Sequence, residues 1–397
     1  MTASHVLFTI SLFGVFLVGL QLLVLRRHAA RPRPERCDQG GISVLKPLCG
    51  VDEDLWRNLE SFAALDYPRY EVLLGVRDPE DAAWPVAAAA QARWPARFRL
   101  VRQRGEPGLN PKVNQLITLA GAARHDILVI SDSNVRVRPD YLSEIASHLR
   151  CEEVGLVTHP IAGVGERSVG ALFENLHLAS SVTPGMVAAK CLARRDVVVG
   201  KSMALRRRDL ALLGGFECVK DVLAEDYVLG LKVSFELKKR VAIAAVPVEN
   251  VNRVRPLRDF FGRYARWCTM QRKIAGSFVY GAQLLLNPVV VAGAAAALSP
   301  GAESLALFAA VCALKAVLDD AAARALRGTG FPLPSLLLVP AKDLVFAAAW
   351  ARGFLTSTVE WRGNRLRVLA GSALARPDEE VADERLEDVE ATLATEP

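Results

Sequence analysis

The stretch Ile127-Leu128-Val129-Ile130-Ser131-Asp132-Ser133 decides how this chain is read. Four apolar residues run into a single acid set between two hydroxyls. A run this short and apolar fits a strand buried on both faces, as in a parallel sheet. Asp132 then stands at the carboxyl end of that strand, the edge at which open α/β sheets bind their ligands. An acid there either closes a turn or meets a positively charged group, and the strand alone leaves both readings open.

The chain around it supports a sheet. Apolar runs at 42–48, 70–76, 98–101, 126–131, 154–158 and 241–248 read as strands. Helical patterns at 53–65, 82–94, 112–123 and 141–149 alternate with them. Such alternation predicts an α/β domain with a mostly parallel sheet over residues 42–273.

Both flanks of that domain are apolar. Residues 6–25 carry no charge and are long enough to cross a bilayer as a helix. Arg26, Arg27, Arg31, Arg33 and Arg36 follow. A cleaved leader puts its positive charge ahead of a shorter apolar core, so the order here predicts a retained anchor over 1–30. The positive-inside rule then sets the next domain on the cytoplasmic face of a cell membrane. Residues 31–41 contain two prolines and two glycines and read as a linker. Beyond Lys273, residues 277–298 read as a span. Residues 305–318, with Lys315, and 334–355, with Lys342, Asp343 and Arg352, read either as further spans or as helices along the interface. Membrane helices over 274–357 would make the protein multi-pass. The segment 358–397 ends in a tail with nine acids and one arginine from Asp378 onward, which reads as solvated.

Composition agrees, with 51% hydrophobic residues and a mean hydropathy of +0.21 over 397 residues. The net charge is +6, but the acidic tail contributes −8, so the rest of the chain is strongly basic. A basic body suits anionic partners such as lipid headgroups or nucleotide phosphates. It lacks the interleaved aromatic stripe of a nucleic-acid groove, and no nucleic acid is expected. Seven scattered cysteines without a C-x-x-C pair predict free thiols and no zinc site.

Three more motifs carry charge. In Ala224-Glu225-Asp226-Tyr227, adjacent acids precede an apolar helix. They either favour the helix dipole or supply a general base. In Arg263-Tyr264-Ala265-Arg266-Trp267, two arginines three apart share a helix face. That face either clamps a diphosphate or lies on anionic lipid, and the tryptophan suits an interface or a sugar wall. In Gly108-Leu109-Asn110-Pro111-Lys112-Val113-Asn114, a turn opens a helix whose free N–H groups and Lys112 could receive phosphate. Dinucleotide, P-loop, H-E-x-x-H and G-x-S-x-G signatures are absent from the sequence.

Taken in order, these motifs resemble the ceramide glucosyltransferases, inverting enzymes of GT-A fold. The resemblance covers Lys46-Pro47-Leu48-Cys49-Gly50-Val51-Asp52, Leu65-Asp66-Tyr67-Pro68, Gly75-Val76-Arg77-Asp78, the Asn-Pro-Lys turn, Ser131-Asp132-Ser133, Ala224-Glu225-Asp226-Tyr227 and Arg263-x-x-Arg266-Trp267. It continues more loosely to Trp361-Arg362-Gly363. It implies a donor site with Lys46, Asp78, Lys112, Asn114 and Asp132, and a divalent cation, Mg²⁺ or Mn²⁺, at Asp132. It implies Asp226 as catalytic base, and Arg263, Arg266 and Trp267 at the diphosphate and acceptor. The implied partners are a UDP-sugar, a ceramide-like lipid and the membrane. The first position of the last motif is Arg, where processive polysaccharide synthases usually have Gln. Ser181-Val182-Thr183-Pro184 lacks a histidine that animal members carry before the proline. The hopanoid N-acetylglucosaminyltransferases share nearly all of these motifs, but favour Ala-Asp-Asp-Tyr and Asn-Arg-Lys. Hopanoid glycosylation, a processive synthase and a non-enzymatic membrane module remain the alternatives.

Overall fold

In the computed structural model, which describes residues 2–38 and 40–379, ten strands build the central domain. They are β1 (Ile42–Pro47), β2 (Tyr70–Val76), β3 (Phe98–Arg102), β4 (Ile127–Ser131), β5 (Val135–Arg136), β6 (Val154–Thr158), β7 (Ile161–Val164), β8 (Ser202–Arg206), β9 (Arg240–Ile243) and β10 (Val248–Val251). Seven of them form one sheet in the order β3-β2-β1-β4-β8-β6-β9. The pairs β3-β2, β2-β1 and β1-β4 are parallel, and all of β1 and β2 is buried. Burial along the whole strand is expected where helices cover both faces, and it extends here to Ser43, Lys46 and Glu71. The helices Leu55–Ala63, Ala83–Arg93 and Tyr141–Leu149 pack their apolar residues on one face of the sheet. Pro111–Ala122 and Glu225–Phe235 pack on the other.

Two departures from the sequence reading shape the site. The run 241–248 is not one strand. It ends as β9 at Ile243 and resumes as β10 at Val248, in a second sheet ordered β5-β10-β7. Pro247 lacks the N–H a central ladder needs. The second departure is β8, which the sequence pattern did not show. It runs antiparallel between β4 and β6 and brings Lys201 beside Asp132. A third sheet follows at the carboxyl side, with β11 (Thr358–Trp361), β12 (Asn364–Val368) and β13 (Leu374–Ala375). The acidic tail from residue 380 onward lies outside the described residues.

The apolar segments form a helical layer. Ala3–Ala29 is long and apolar enough to cross a membrane, and so is Leu333–Leu355. Ser4 Oγ donates to the Ala295 carbonyl at 2.9 Å and Ser11 Oγ to that of Pro288 at 2.8 Å. Such hydroxyl-to-carbonyl bonds fasten helices where water is scarce. Residues 277–298, read as one span, fold as two helices, Ser277–Leu286 and Pro288–Leu298, that together are long and apolar enough to cross a membrane and are bent by 78°. Asn287 caps the second piece through Val290 N and Pro288 opens it, so the helix cannot run through. Residues 305–318 belong to a longer helix, Ala302–Arg327.

The charges in these helices find partners, as a buried charge must. Asp319 accepts from Lys315 at 2.5 Å and Lys342 at 3.2 Å, and Lys342 also reaches Asp343 at 3.0 Å. All four side chains are buried. Asp319→Leu leaves two ammonium groups facing one carboxylate, and should cost about 3–5 kcal/mol of stability. Thermal unfolding in detergent measures this, with Asp319→Leu/Lys342→Met expected to recover part of the loss. An Asp319→Leu variant melting with the parent would show that the four charges do not hold these helices.

Candidate active site

A cavity of about 840 Å³ opens at the carboxyl end of β4 and runs from the sheet to the helical layer. Asp132 forms part of its wall. Strand β4 ends at Ser131, Asp132 N still donates to the Lys201 carbonyl at 3.3 Å, and Ser133 Oγ donates to Asp52 in the loop after β1. Lys46, at the end of β1, is fully buried beneath this corner. Its Nζ donates to the Asp132 carbonyl at 2.8 Å and Ser131 Oγ at 3.3 Å, and lies over the Phe62 ring at 3.9 Å. Burial pushes its ammonium down to about 7. Lys46 does not reach the cavity wall, so the donor role expected of it becomes support of the Asp132 backbone.

Both oxygens of Asp132 face ammonium groups. Lys112 Nζ lies 3.0 Å from Oδ1 and Lys201 Nζ 3.1 Å from Oδ2. Burial alone would raise the Asp132 carboxyl, but Lys112 and Lys201 outweigh it and hold the group well below the usual carboxylate range. Lys112 comes from the first turn of Pro111–Ala122, which starts where its cap dictates. Asn110 Oδ1 accepts from Lys112 N and Val113 N, and Pro111 takes the first position. Those N–H groups, expected to be open to phosphate, are therefore used by the cap. Asn114 holds the preceding turn through Gly108, donating at 2.8 Å and accepting at 2.9 Å, and lies outside the cavity wall.

Glu225 and Asp226 open the helix Glu225–Phe235. Glu225 is buried and lies 2.9 Å from Lys112 Nζ. Burial would depress the Lys112 ammonium, but Asp132, Glu225 and Asp226 together hold it above its ordinary value. Asp226 accepts from Tyr227 N at 2.8 Å and from Gly200 N. Burial, then the charge of Glu225, raises its carboxyl from 3.8 to about 6. Gly200 permits this approach: a Cβ there would sit 2.8 Å from Asp226 Oδ2 and 3.0 Å from Lys112 Nζ. The third sheet presses on the same turn, since Leu223 N donates to the Ser372 carbonyl and Ala224 N to Ser372 Oγ, both at 2.8 Å.

The helix Leu257–Ala275 supplies the facing wall. Arg263, Arg266 and Trp267 all line the cavity, as their spacing on one face requires. Arg263 donates to the buried Glu174 at 2.6 Å. Arg266 is held lower, at about 10, by burial and by Arg263 and Arg362. Asp78 behaves differently. It stands outside the cavity wall, and its Oδ1 accepts from Glu80 N and Asp81 N in its own turn. Toward the helical layer the wall turns apolar, through Val182, Met186, Ile274 and Phe346. In that arm His177 Nδ1 and Tyr264 Oη are buried without a hydrogen-bond partner among the described residues.

The lining holds six lysines and arginines against four acids, which favours an anionic ligand. Among the described residues no three His, Cys, Asp or Glu side chains converge on a cation position. All seven cysteines are free thiols, as their spacing predicted. Nothing in the sequence pointed to Lys201 or Gly200, and Arg362 stood in the Trp361-Arg362-Gly363 element without a role at the cavity.

A family model described as glycosyl transferase family 21 matches residues 6–374. The chain belongs to that family. Ceramide glucosyltransferase 1 of Caenorhabditis elegans is 29% identical over 273 residues, 68% of this chain and 57% of the relative. Ceramide glucosyltransferase 3 of the same organism is 26% identical over 268 residues, 66% and 57% of the two chains. The chain thus spans somewhat over half the length of these curated relatives. A solved mannosyltransferase from Pyrobaculum calidifontis, in complex with GDP-Man and Mn²⁺, superposes with a TM-score of 0.51 at 20% identity. It covers 87% of this chain and 99% of its own. The domain is therefore GT-A-like in fold.

Proposed function

We propose that this family 21 member is an inverting transferase that moves glucose from UDP-glucose to the primary hydroxyl of a ceramide at the cytoplasmic membrane face. The observation that carries the reading is one continuous cavity. It joins a cationic wall suited to a diphosphate with an apolar arm reaching the membrane-type helices. The relatives named ceramide glucosyltransferases favour the same substrates. The orphaned donor and acceptor atoms of His177 and Tyr264 suit a lipid with polar groups beside its reacting hydroxyl.

The acceptor hydroxyl loses its proton to Asp226 as its oxygen attacks the anomeric carbon from the face opposite UDP. The new oxygen–carbon bond forms as the bond to the β-phosphate oxygen breaks, and that oxygen leaves with the electron pair. Lys112, Lys201 and Arg266 stabilise the charge that grows there. Asp132 is the residue that would hold a divalent cation, since it is held ionised and lines the cavity, and the ion would take the place of Lys112 or Lys201 on its two oxygens. Bound there, Mg²⁺ or Mn²⁺ would neutralise part of the leaving group's charge.

Membranes containing the protein, given labelled UDP-glucose or UDP-N-acetylglucosamine with ceramide or a hopanoid, test the assignment. A single glucosylated ceramide is the expected product. N-acetylglucosamine on the hopanoid, or a long polymer, would replace this reading by the corresponding alternative. No transfer and no UDP-sugar binding would leave a non-enzymatic module.

A further inference from the structure

A second cavity, of about 400 Å³, lies where the Ala3–Ala29 helix ends, and it shares no lining residue with the first. Five arginines reach its wall from three parts of the chain. Arg31 and Arg33 follow the first helix, Arg136 and Arg138 come from β5 and the turn after it, and Arg327 ends Ala302–Arg327. Glu249 is the one acid in that lining.

These charges are not balanced. Arg33 and Arg138 share Asp140, at 2.9 and 3.4 Å. Arg136 lies 3.6 Å from Asp54, which Arg253 also holds, and 3.8 Å from Glu249. Arg327 Nη2 donates to Glu166 at 2.8 Å. Arg31 has the Cys191 thiol at 3.8 Å and no carboxylate within ion-pair reach among the described residues. Counting Arg253, six arginines face four carboxylates.

Arg327 gives the second sign. Its side chain is only 10% exposed, and Nε and Nη1 are buried with no acceptor among the described residues. A buried cationic donor left unmatched is costly unless something supplies an oxygen. Both neighbouring helices end at this level with their carbonyls outward, which by itself disfavours an anion. The arginines must therefore be what makes the cavity attractive to one.

The position narrows the ligand. Ala3–Ala29 is a candidate membrane span, so its last turn sits at headgroup depth if it crosses. Ala29, Ala325 and Leu326 give the wall an apolar side next to the helices. A ligand that is anionic at one end and hydrocarbon at the other matches both halves. We infer that this cavity holds the headgroup of an anionic phospholipid, its phosphate among the five arginines. The site is separate from the transfer site and does not depend on which sugar or acceptor is used there.

Native mass spectrometry of the full chain in detergent, given equal phosphatidylglycerol and phosphatidylcholine, tests it. The parent should retain one phosphatidylglycerol with a preference of about tenfold, as one or two extra arginine contacts would give. Arg33→Gln/Arg138→Gln, both on half-exposed side chains, should bring the preference close to parity. Arg124→Gln/Arg208→Gln removes the same charge elsewhere and should keep it. The exposed Arg31→Gln gives a second reading if the first variant unfolds. Undiminished preference in the cavity variants, an equal loss in the control, or displacement by an equal concentration of inorganic phosphate would each overturn the assignment.

Discussion

Asp226→Asn is expected to lower kcat by about 10³-fold while leaving the Kd for the UDP-sugar nearly unchanged. Asparagine keeps the shape but only one acceptor oxygen, so one of the two bonds, from Gly200 N to Oδ2 or from Tyr227 N to Oδ1, can persist. What it cannot do is take a proton from the acceptor hydroxyl. Single-turnover rates and equilibrium donor binding separate these two quantities. A variant with near-parental turnover would remove Asp226 from the role of base.

The same residue sets a pH dependence. Burial and the charge of Glu225 raise its carboxyl from 3.8 to about 6. The ionised form is the base, so kcat in the parent should fall as pH drops through about 6. The stability effect has the opposite sense. A group with a raised folded pKa binds extra protons in the native state, so its contribution is present below 3.8 and lost as pH rises through about 6. At neutral pH the ionised base is thus held at some cost to stability. Asp226→Asn removes that cost together with one hydrogen bond, so it should melt close to the parent temperature, whereas loss of a purely structural carboxylate would lower it.

Much of this site was legible because its signals are local. Asp132 follows the four apolar residues and the serine of β4, and β1, β2 and β6 are mostly apolar, with Ser43, Lys46, Glu71 and Thr158 among them. Arg263 and Arg266 share a helix face by spacing alone. What was not legible depends on distant partners. Nothing near Ser202 says that β8 will enter the sheet antiparallel between β4 and β6, and Lys201 reaches Asp132 only because it does. Asn114 and Lys46 belong to the right motifs but hold turns and backbone instead of facing the cavity. The bend within 277–298 has a local reason: hydropathy counts Asn287-Pro288 as two residues of a run, whereas the chain uses them as cap and first turn.

Lys112 joins these parts, and its loss should be the second large effect. Its Nζ lies 3.0 Å from Asp132 and 2.9 Å from Glu225, and its charge also lowers the Asp226 carboxyl. Lys112→Met should cut kcat/KM by about 10²-fold or more, because a cation facing the departing diphosphate is gone. It should also move the acid limb of the pH profile upward, since Asp226 loses a cation that favours its ionised form. Glu225→Gln removes a like charge and should move that limb downward. Opposite shifts from two changes at one ion pair are hard to produce by misfolding, which would lower activity at every pH alike. If both variants kept the limb at about 6, Lys112 and Glu225 would only buttress the helix ends, and the charge at Asp226 would be set by burial alone. Lys112→Arg is not expected to restore the parent, because the planar fork of a guanidinium cannot occupy the point that one ammonium shares between Asp132 and Glu225.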